Sequence, residues 1–168
     1  MSITSTAHLN FRGDARQALE FYHSVFGGQL MIATYGQVGV PRDDSNGRPV
    51  TFGPVDPDSA DADHVAFGVV VGDNGFRVAA YDVFAGAGGG LAGTSQETTR
   101  RAAGLTHGES FFLLLNSDTL DEIRLPWDKL ADGAIVIAPL ATAQSAAPAY
   151  GMLTDRFGVT WIFGVTPN

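Results

Sequence analysis

The chain of 168 residues contains no cysteine. That excludes disulfides, zinc–thiolate sites and thiol nucleophiles. It is also short of positive charge: ten Lys plus Arg stand against eighteen Asp plus Glu, for a net charge of −8. Nucleic acid and anionic membrane surfaces are therefore not expected as partners, because their phosphates would be repelled rather than steered in. No apolar run approaches the ~18 residues of a membrane span. The opening MSITSTAHLN has neither a basic stretch nor an apolar one, so no secretion signal is read and a cytoplasmic protein is expected. What is left is a globular composition, 45% hydrophobic and 17% charged, sized for one domain or two small modules sharing a core.

The first organised stretch is LNFRGDARQALEFYHSVFGG, residues 9 to 28. Residues 8 to 11 alternate, with His8 and Asn10 on one face and Leu9 and Phe11 on the other, the period of a strand. Asp14 is placed to cap a helix with its carboxylate. Ala15, Ala18, Leu19, Tyr22, Val25 and Phe26 then form one apolar stripe at helical spacing. Gly27 and Gly28 stop the helix, and QLMIATY reads as the next strand.

The same order returns at residues 110 to 140. An apolar run, Phe111 to Leu115, leads to Ser117 or Asp118 as cap, and Leu120, Ile123, Trp127 and Leu130 keep a helical stripe. Asp132-Gly133 stops it, and AIVIAPL follows as a strand. Pro126 predicts a broken helix here. Each half continues into a hairpin, one turning at GDNG (72–75) and one at DRFG (155–158).

The chain therefore reads as a βαβββ module at 1–83, a Gly-rich linker or arm at 84–109, and a second βαβββ module at 110–168. A single module leaves one sheet face and a free edge without cover. The expected fold is α+β: two modules forming an eight-stranded, cup-shaped mixed sheet with helices on the outer face.

This pattern resembles the vicinal oxygen chelate superfamily of glyoxalases, bleomycin-resistance proteins and extradiol dioxygenases, and within it the PhnB-like branch. The residues that carry the resemblance are Leu9-Asn10-Phe11, Ala18 to Tyr22, Phe26-Gly27-Gly28, His64 and the ending Thr154-Asp155-Arg156-Phe157-Gly158-Val159-Thr160-Trp161. The resemblance implies a homodimer. It also implies a divalent metal held by His or Glu on the first and fourth strands of each module, facing the cup.

Position by position, those donors are scarce. The first strand offers His8 or, in the other register, Ala7. The fourth offers Ala79 or Ala80, with Tyr81 and Asp82 beyond. The fifth strand offers none, and the last puts Trp161, Ile162 or Phe163 where a Glu would stand. Ala143 occupies the place of a Glu common in PhnB-like relatives. No intrinsic metal and no other cofactor is expected.

The candidate ligand-binding residues are His8, Asn10, His64, Arg77 and Tyr81. His8 and Asn10 face away from the apolar side of their strand. Arg77 and Tyr81 share a strand face, and an arginine in an apolar setting clamps a carboxylate or phosphonate. His64 opens a strand. Trp161 and Phe163 read as core. His23 and His107 receive no role. The acidic stretch 56–64 lacks the glycine and glutamate of a calcium loop and reads as solvated.

Gly88, Gly90 and Gly93 fit a dinucleotide-type glycine pattern. The flanking segments do not alternate strand and helix as that fold requires, so the stretch is assigned to the linker.

The reading is a metal-free small-molecule-binding homodimer. The alternative is a metal-dependent lyase or dioxygenase-type enzyme of the same superfamily.

Overall fold

A computed structural model of the chain describes residues 5–43, 49–83, 111–141 and 149–165. The chain divides into two compact units, Met1–Ala92 and Gly93–Asn168. The Gly-rich segment 84–109, with its glycine pattern and His107, lies outside the described residues, as does Ala143.

All eight expected strands form. In the first unit β1 (Ala7–Phe11), β2 (Gln29–Thr34), β5 (Val65–Val71) and β6 (Arg77–Asp82) make a sheet in the order β1-β6-β5-β2. In the second, β7 (Leu113–Ser117), β8 (Ile135–Ala141), β9 (Tyr150–Thr154) and β10 (Thr160–Val165) make one in the order β7-β10-β9-β8. The first strand of each module runs parallel to the last, and the other pairs are antiparallel. The topology is therefore duplicated, with one helix on one face of each sheet: α1 (Ala15–Phe26) and α3 (Leu120–Ala131).

Between β2 and β5 the chain inserts elements that periodicity did not reveal. They are a single helical turn α2 (Tyr35–Val38), a hairpin of β3 (Val40–Asp43) and β4 (Pro49–Gly53), and a 3-10 turn at Ala60–Asp63. Each is four or five residues long, too short to express a period.

The stripe on α1 packs as the spacing predicts. Ala15, Ala18, Leu19, Tyr22 and Val25 are buried. Gly68 in β5 makes this close approach possible: a Cβ there would stand 2.2 Å from Leu19 Cδ1. Gly151 in β9 does the same for α3, where a Cβ would meet Trp127 Cζ3 at 2.8 Å. Phe26 is only half-buried and stacks on Phe76, with ring centroids 3.8 Å apart.

The helix start is capped differently from the expectation. Asp14 precedes α1 but makes no side-chain cap. Asp82, at the end of β6, takes that role from across the sheet. Its Oδ1 accepts the N–H groups of Gly13 (2.6 Å) and Ala15 (3.1 Å), and its Oδ2 accepts that of Val65 (2.9 Å). The Tyr35 hydroxyl donates to the Asp82 carbonyl at 2.8 Å. A carboxylate with no solvent exposure is thus held by three backbone donors, two of them at the positive end of a helix.

In the second unit α3 is continuous through Pro126, not broken. Ile123 precedes the proline, Trp127 and Leu130 follow it, and all three are buried, so packing on both sides holds the axis against the local defect. Glu122, whose carbonyl loses its helical donor to the proline, is exposed and open to water. Neither Ser117 nor Asp118 is the N-cap. That position is Thr119, without a side-chain cap bond, although the Ser117 oxygen accepts the Thr119 N–H at 3.3 Å. The Ser117 hydroxyl donates to Glu122, which holds that carboxyl below the usual carboxylate range.

The terminal motif is a structural lock. Asp155 Oδ1 accepts from the N–H groups of Phe157 and Val159, and Oδ2 accepts from Trp161 Nε1 at 2.8 Å. Arg156 donates to the carbonyl and carboxylate of Asp132, closing the end of α3. Trp161 and Phe163 are fully buried, as their alternation implied. Among the described residues, no helix is long and apolar enough to cross a membrane.

Asp82→Ala and Asp155→Ala each leave three N–H donors without their acceptor. Each should lower unfolding free energy by at least about 3 kcal/mol, read by urea denaturation. Arg156→Ala removes an exposed ion pair as well as a helix stop and should cost about 1 kcal/mol. A loss below that for Asp82→Ala would remove it from this structural role.

Candidate functional site

Strand alternation divides the first sheet into a helix-covered face and an open one. Leu9, Phe11, Val70, Val78, Ala80 and Asp82 turn to the helix and are buried. Their neighbours make up the other face: His8, Ala79, Val69 and Met31 in one row, with Asn10 and Tyr81, and Phe67 and Ala33, in the next; Ala79 is itself buried among them. Arg77 begins a third row, opposite Val71.

The first-strand ambiguity is thereby resolved: His8, not Ala7, is on the open face. On β6 it is Ala79 and Tyr81, while Ala80 and Asp82 point inward.

Three rings meet on this face. The His8 imidazole stands edge-on to Tyr81, with centroids 5.1 Å apart, and to Phe67 at 6.0 Å. Asn10 is the register partner of Tyr81. Phe67 and Met31 remain 41% and 56% exposed, unusual for side chains of their size.

His64 is placed elsewhere, at the entrance to β5. Its Nδ1 lies 3.2 Å from Asp61 Oδ1, out of hydrogen-bond alignment, and its Nε2 packs 3.5 Å from where Gly13 would carry a Cβ. Its carbonyl accepts the Tyr35 N–H. The structure therefore gathers His8, Asn10, Arg77 and Tyr81 on one face and sets His64 at the sheet's end. Phe67 and Met31 belong to the open face too, and the sequence reading did not single them out. The even positions of HVAFGVVV suggested nothing because a register shift at Ala33/Thr34 changes which residues face outward. His23, given no role, lies 3.2 Å from the Gly28 carbonyl beyond the end of α1.

The second sheet provides an internal comparison. Aligning Leu9-Asn10 with Leu115-Asn116 superposes the registers, and Gly68 then corresponds to Gly151. On this alignment His8 corresponds to Leu114, Ala79 to Ile162, Tyr81 to Gly164, Phe67 to Tyr150 and Arg77 to Thr160. The second open face carries no imidazole, carboxylate or cation on its two inner strands, β9 and β10.

The sequence matches the family described as the Glyoxalase/Bleomycin resistance protein/Dioxygenase superfamily over residues 6–163. The chain belongs to that superfamily. Solved structures agree in fold. Protein PA1353 from Pseudomonas aeruginosa is 24% identical, with a TM-score of 0.62, covering 99% of this chain and 100% of its own. The PhnB protein from Bacillus cereus is 21% identical, TM-score 0.55, covering 98% and 100%. A glyoxylase/bleomycin resistance protein/dioxygenase domain from a Frankia species is 12% identical, TM-score 0.53, covering 100% and 94%. No curated protein sequence matches.

The superfamily's metal chemistry needs several His or carboxylate donors converging at about 2.0–2.2 Å. The open-face positions supply His8 in the first module, while Leu114 and Ile162 stand at the corresponding places in the second. Among the described residues, no three His, Cys, Asp or Glu side chains come together as a metal-holding group. The donors among the described residues do not fit such a metal.

Tyr35 lies behind this face. Burial, and after it the proximity of Tyr81, Asp82 and Asp61, pushes its hydroxyl above the ordinary tyrosine value. Its ionisation therefore opposes folding. Stability should hold up to about pH 10 and fall as pH rises beyond it. In an alkaline absorbance titration, Tyr35→Phe should remove a phenolate step that lies above the ordinary tyrosine range. Loss of an earlier step instead would contradict the burial.

Proposed function

We propose that this superfamily member is a cytoplasmic homodimer that binds a small molecule without a catalytic metal. The open face of the first sheet meets the ligand through His8, Asn10, Arg77 and Tyr81. His64 serves this face from its end, where it steadies the loop carrying Gly13. One observation carries the reading: a ring cluster with polar tips stands on a sheet face that holds a single imidazole and no carboxylate. Such a surface combines apolar contact with a few placed polar groups, the usual composition of a ligand site. It offers too few donors for the lyase or dioxygenase alternative. Support for the dimer comes from the large apolar side chains left exposed in the second unit, Leu114, Ile135 and Tyr150.

Metal analysis of protein purified without chelator should find well below one equivalent of zinc, iron, manganese or nickel per chain. Light scattering should give twice the chain mass. Stoichiometric metal would establish the enzyme reading in place of this one. A thermal-shift screen with small aromatic and glycopeptide ligands should yield stabilising compounds. A uniformly silent screen would point to a dimer whose open faces are simply buried.

A further inference from the structure

We propose that Asn74 is a site of covalent self-modification. Its carboxamide closes onto the Gly75 nitrogen, loses ammonia, and the resulting ring opens to aspartate or isoaspartate in the turn between β5 and β6.

The turn holds the reacting groups in one arrangement. The Gly75 N–H donates to the Gly72 carbonyl at 3.2 Å, and the Gly72 N–H donates to the Phe76 carbonyl at 2.9 Å. Gly75 has φ +86°, so the connection is a three-residue hairpin loop ending on a left-handed glycine. That conformation calls for glycine, and glycine leaves the nucleophile uncovered: nothing lies within 4 Å of where a Gly75 Cβ would stand. Asn74 and Gly75 are both exposed, so hydroxide can reach the peptide and ammonia can leave into water.

The carboxamide is aimed by its own hydrogen bond. Asn74 Oδ1 accepts the Phe76 N–H at 3.1 Å, which folds the side chain forward across Gly75. The ring closed by that bond includes both Asn74 Cγ and the Gly75 nitrogen. Phe76 is held in place by its stacking on Phe26 of α1. Gly72 makes room for the arrangement, since a Cβ there would stand 2.8 Å from Asn74 Oδ1.

The chemistry balances without an outside reagent other than water. Hydroxide takes the Gly75 N–H proton, the nitrogen bonds to Asn74 Cγ, and the carbonyl electron pair moves onto Oδ1. Negative charge therefore develops on the atom to which the Phe76 N–H already points, so this N–H acts as a backbone oxyanion donor. Collapse breaks the Cγ–Nδ2 bond, and ammonia leaves with a proton from water, which restores the hydroxide. Water then opens the succinimide. Cleavage between Cγ and the nitrogen gives aspartate; cleavage at the former Asn74 backbone carbonyl gives isoaspartate. Either product adds a negative charge beside Asp73. Isoaspartate also puts the Cβ methylene into the main chain, in the connection that sets the Val71–Arg77 register.

The test is incubation of the full-length protein at mildly alkaline pH, with its peptides sequenced by mass spectrometry over time. Conversion should appear at Asn74 as the mass gain of amide-to-acid exchange, in two isomers separable by chromatography. Its rate should rise in proportion to hydroxide. It should be no slower in the folded protein than in the same chain in concentrated urea, because the turn already aligns the groups. Gly72→Ala should slow conversion at least threefold in the folded protein and leave the rate in urea unchanged. Gly75→Ala should slow it at least tenfold in both. Fragment ions separate this site from the chain's other Asn-Gly pair, Asn46-Gly47, which lies outside the described residues. Slower conversion in the folded protein than in urea would overturn the proposal, as would an unchanged folded-state rate in Gly72→Ala. The folded-to-urea comparison uses the unaltered chain, so it decides the matter even if Gly72→Ala does not fold.

Discussion

One buried carboxylate organises the first module. Asp82 closes β6 with its side chain turned toward the helix layer, where it collects the first turn of α1 and the first residue of β5. The backbone carbonyl of the same residue receives Tyr35 from the inserted segment. Three separate pieces of chain are thereby tied to one strand end. Strand alternation does the rest. With Asp82 inward, Tyr81 must be outward, and so must Ala79 and Arg77. The interaction that anchors the helix therefore also fixes which β6 residues are presented on the open face. A slip of one residue would bury Arg77 and Tyr81 and expose the carboxylate, so the cost of moving Asp82 protects the site.

The second module reaches the same topology by other means. Val165 stands where the first module has Asp82, and the polar anchor moves to the hairpin, where Asp155 holds its own turn and the Trp161 indole. What the two modules share is steric. Each has a glycine at the equivalent point of its third strand, and each uses it to admit one large helix side chain, Leu19 or Trp127. The shared features face the helices and the divergent ones face away from them. Constraint on the covered faces comes from packing, which tolerates few shapes. The open faces are free to differ, and only the first has collected rings and a cation.

Much of this was legible because it is periodic. The alternation at His8 to Phe11 and the stripe from Ala15 to Val25 each repeat often enough to define a face. The matching order in the second half, with its own hairpin, revealed the duplication. The remainder depends on contacts between residues distant in sequence. Asp14 has the right residue type and position for a cap, yet a carboxylate 67 residues from Ala15 does the work. Pro126 breaks a local rule that tertiary packing overrides. Of the candidate site, His8, Asn10, Arg77 and Tyr81 were readable from strand parity. Phe67 was not, since the register shift between Ala33 and Thr34 interrupts the alternation beside it.

The chemistry proposed for this face turns on an arginine where the superfamily would use a metal. A divalent ion with an open position holds a substrate oxygen and also lowers the pKa of bound water or polarises a carbonyl. A guanidinium can do the first of these and not the second. It is always protonated, has no vacant orbital, and offers N–H donors in a plane matched to a carboxylate. His8, edge-on to Tyr81 and without an oriented carboxylate behind it, lacks the third group that prepares an imidazole for proton transfer. On the proposed reading, an arginine and a ring cluster would supply affinity and orientation, and among the described residues this face does not bring together an oriented acid–base pair.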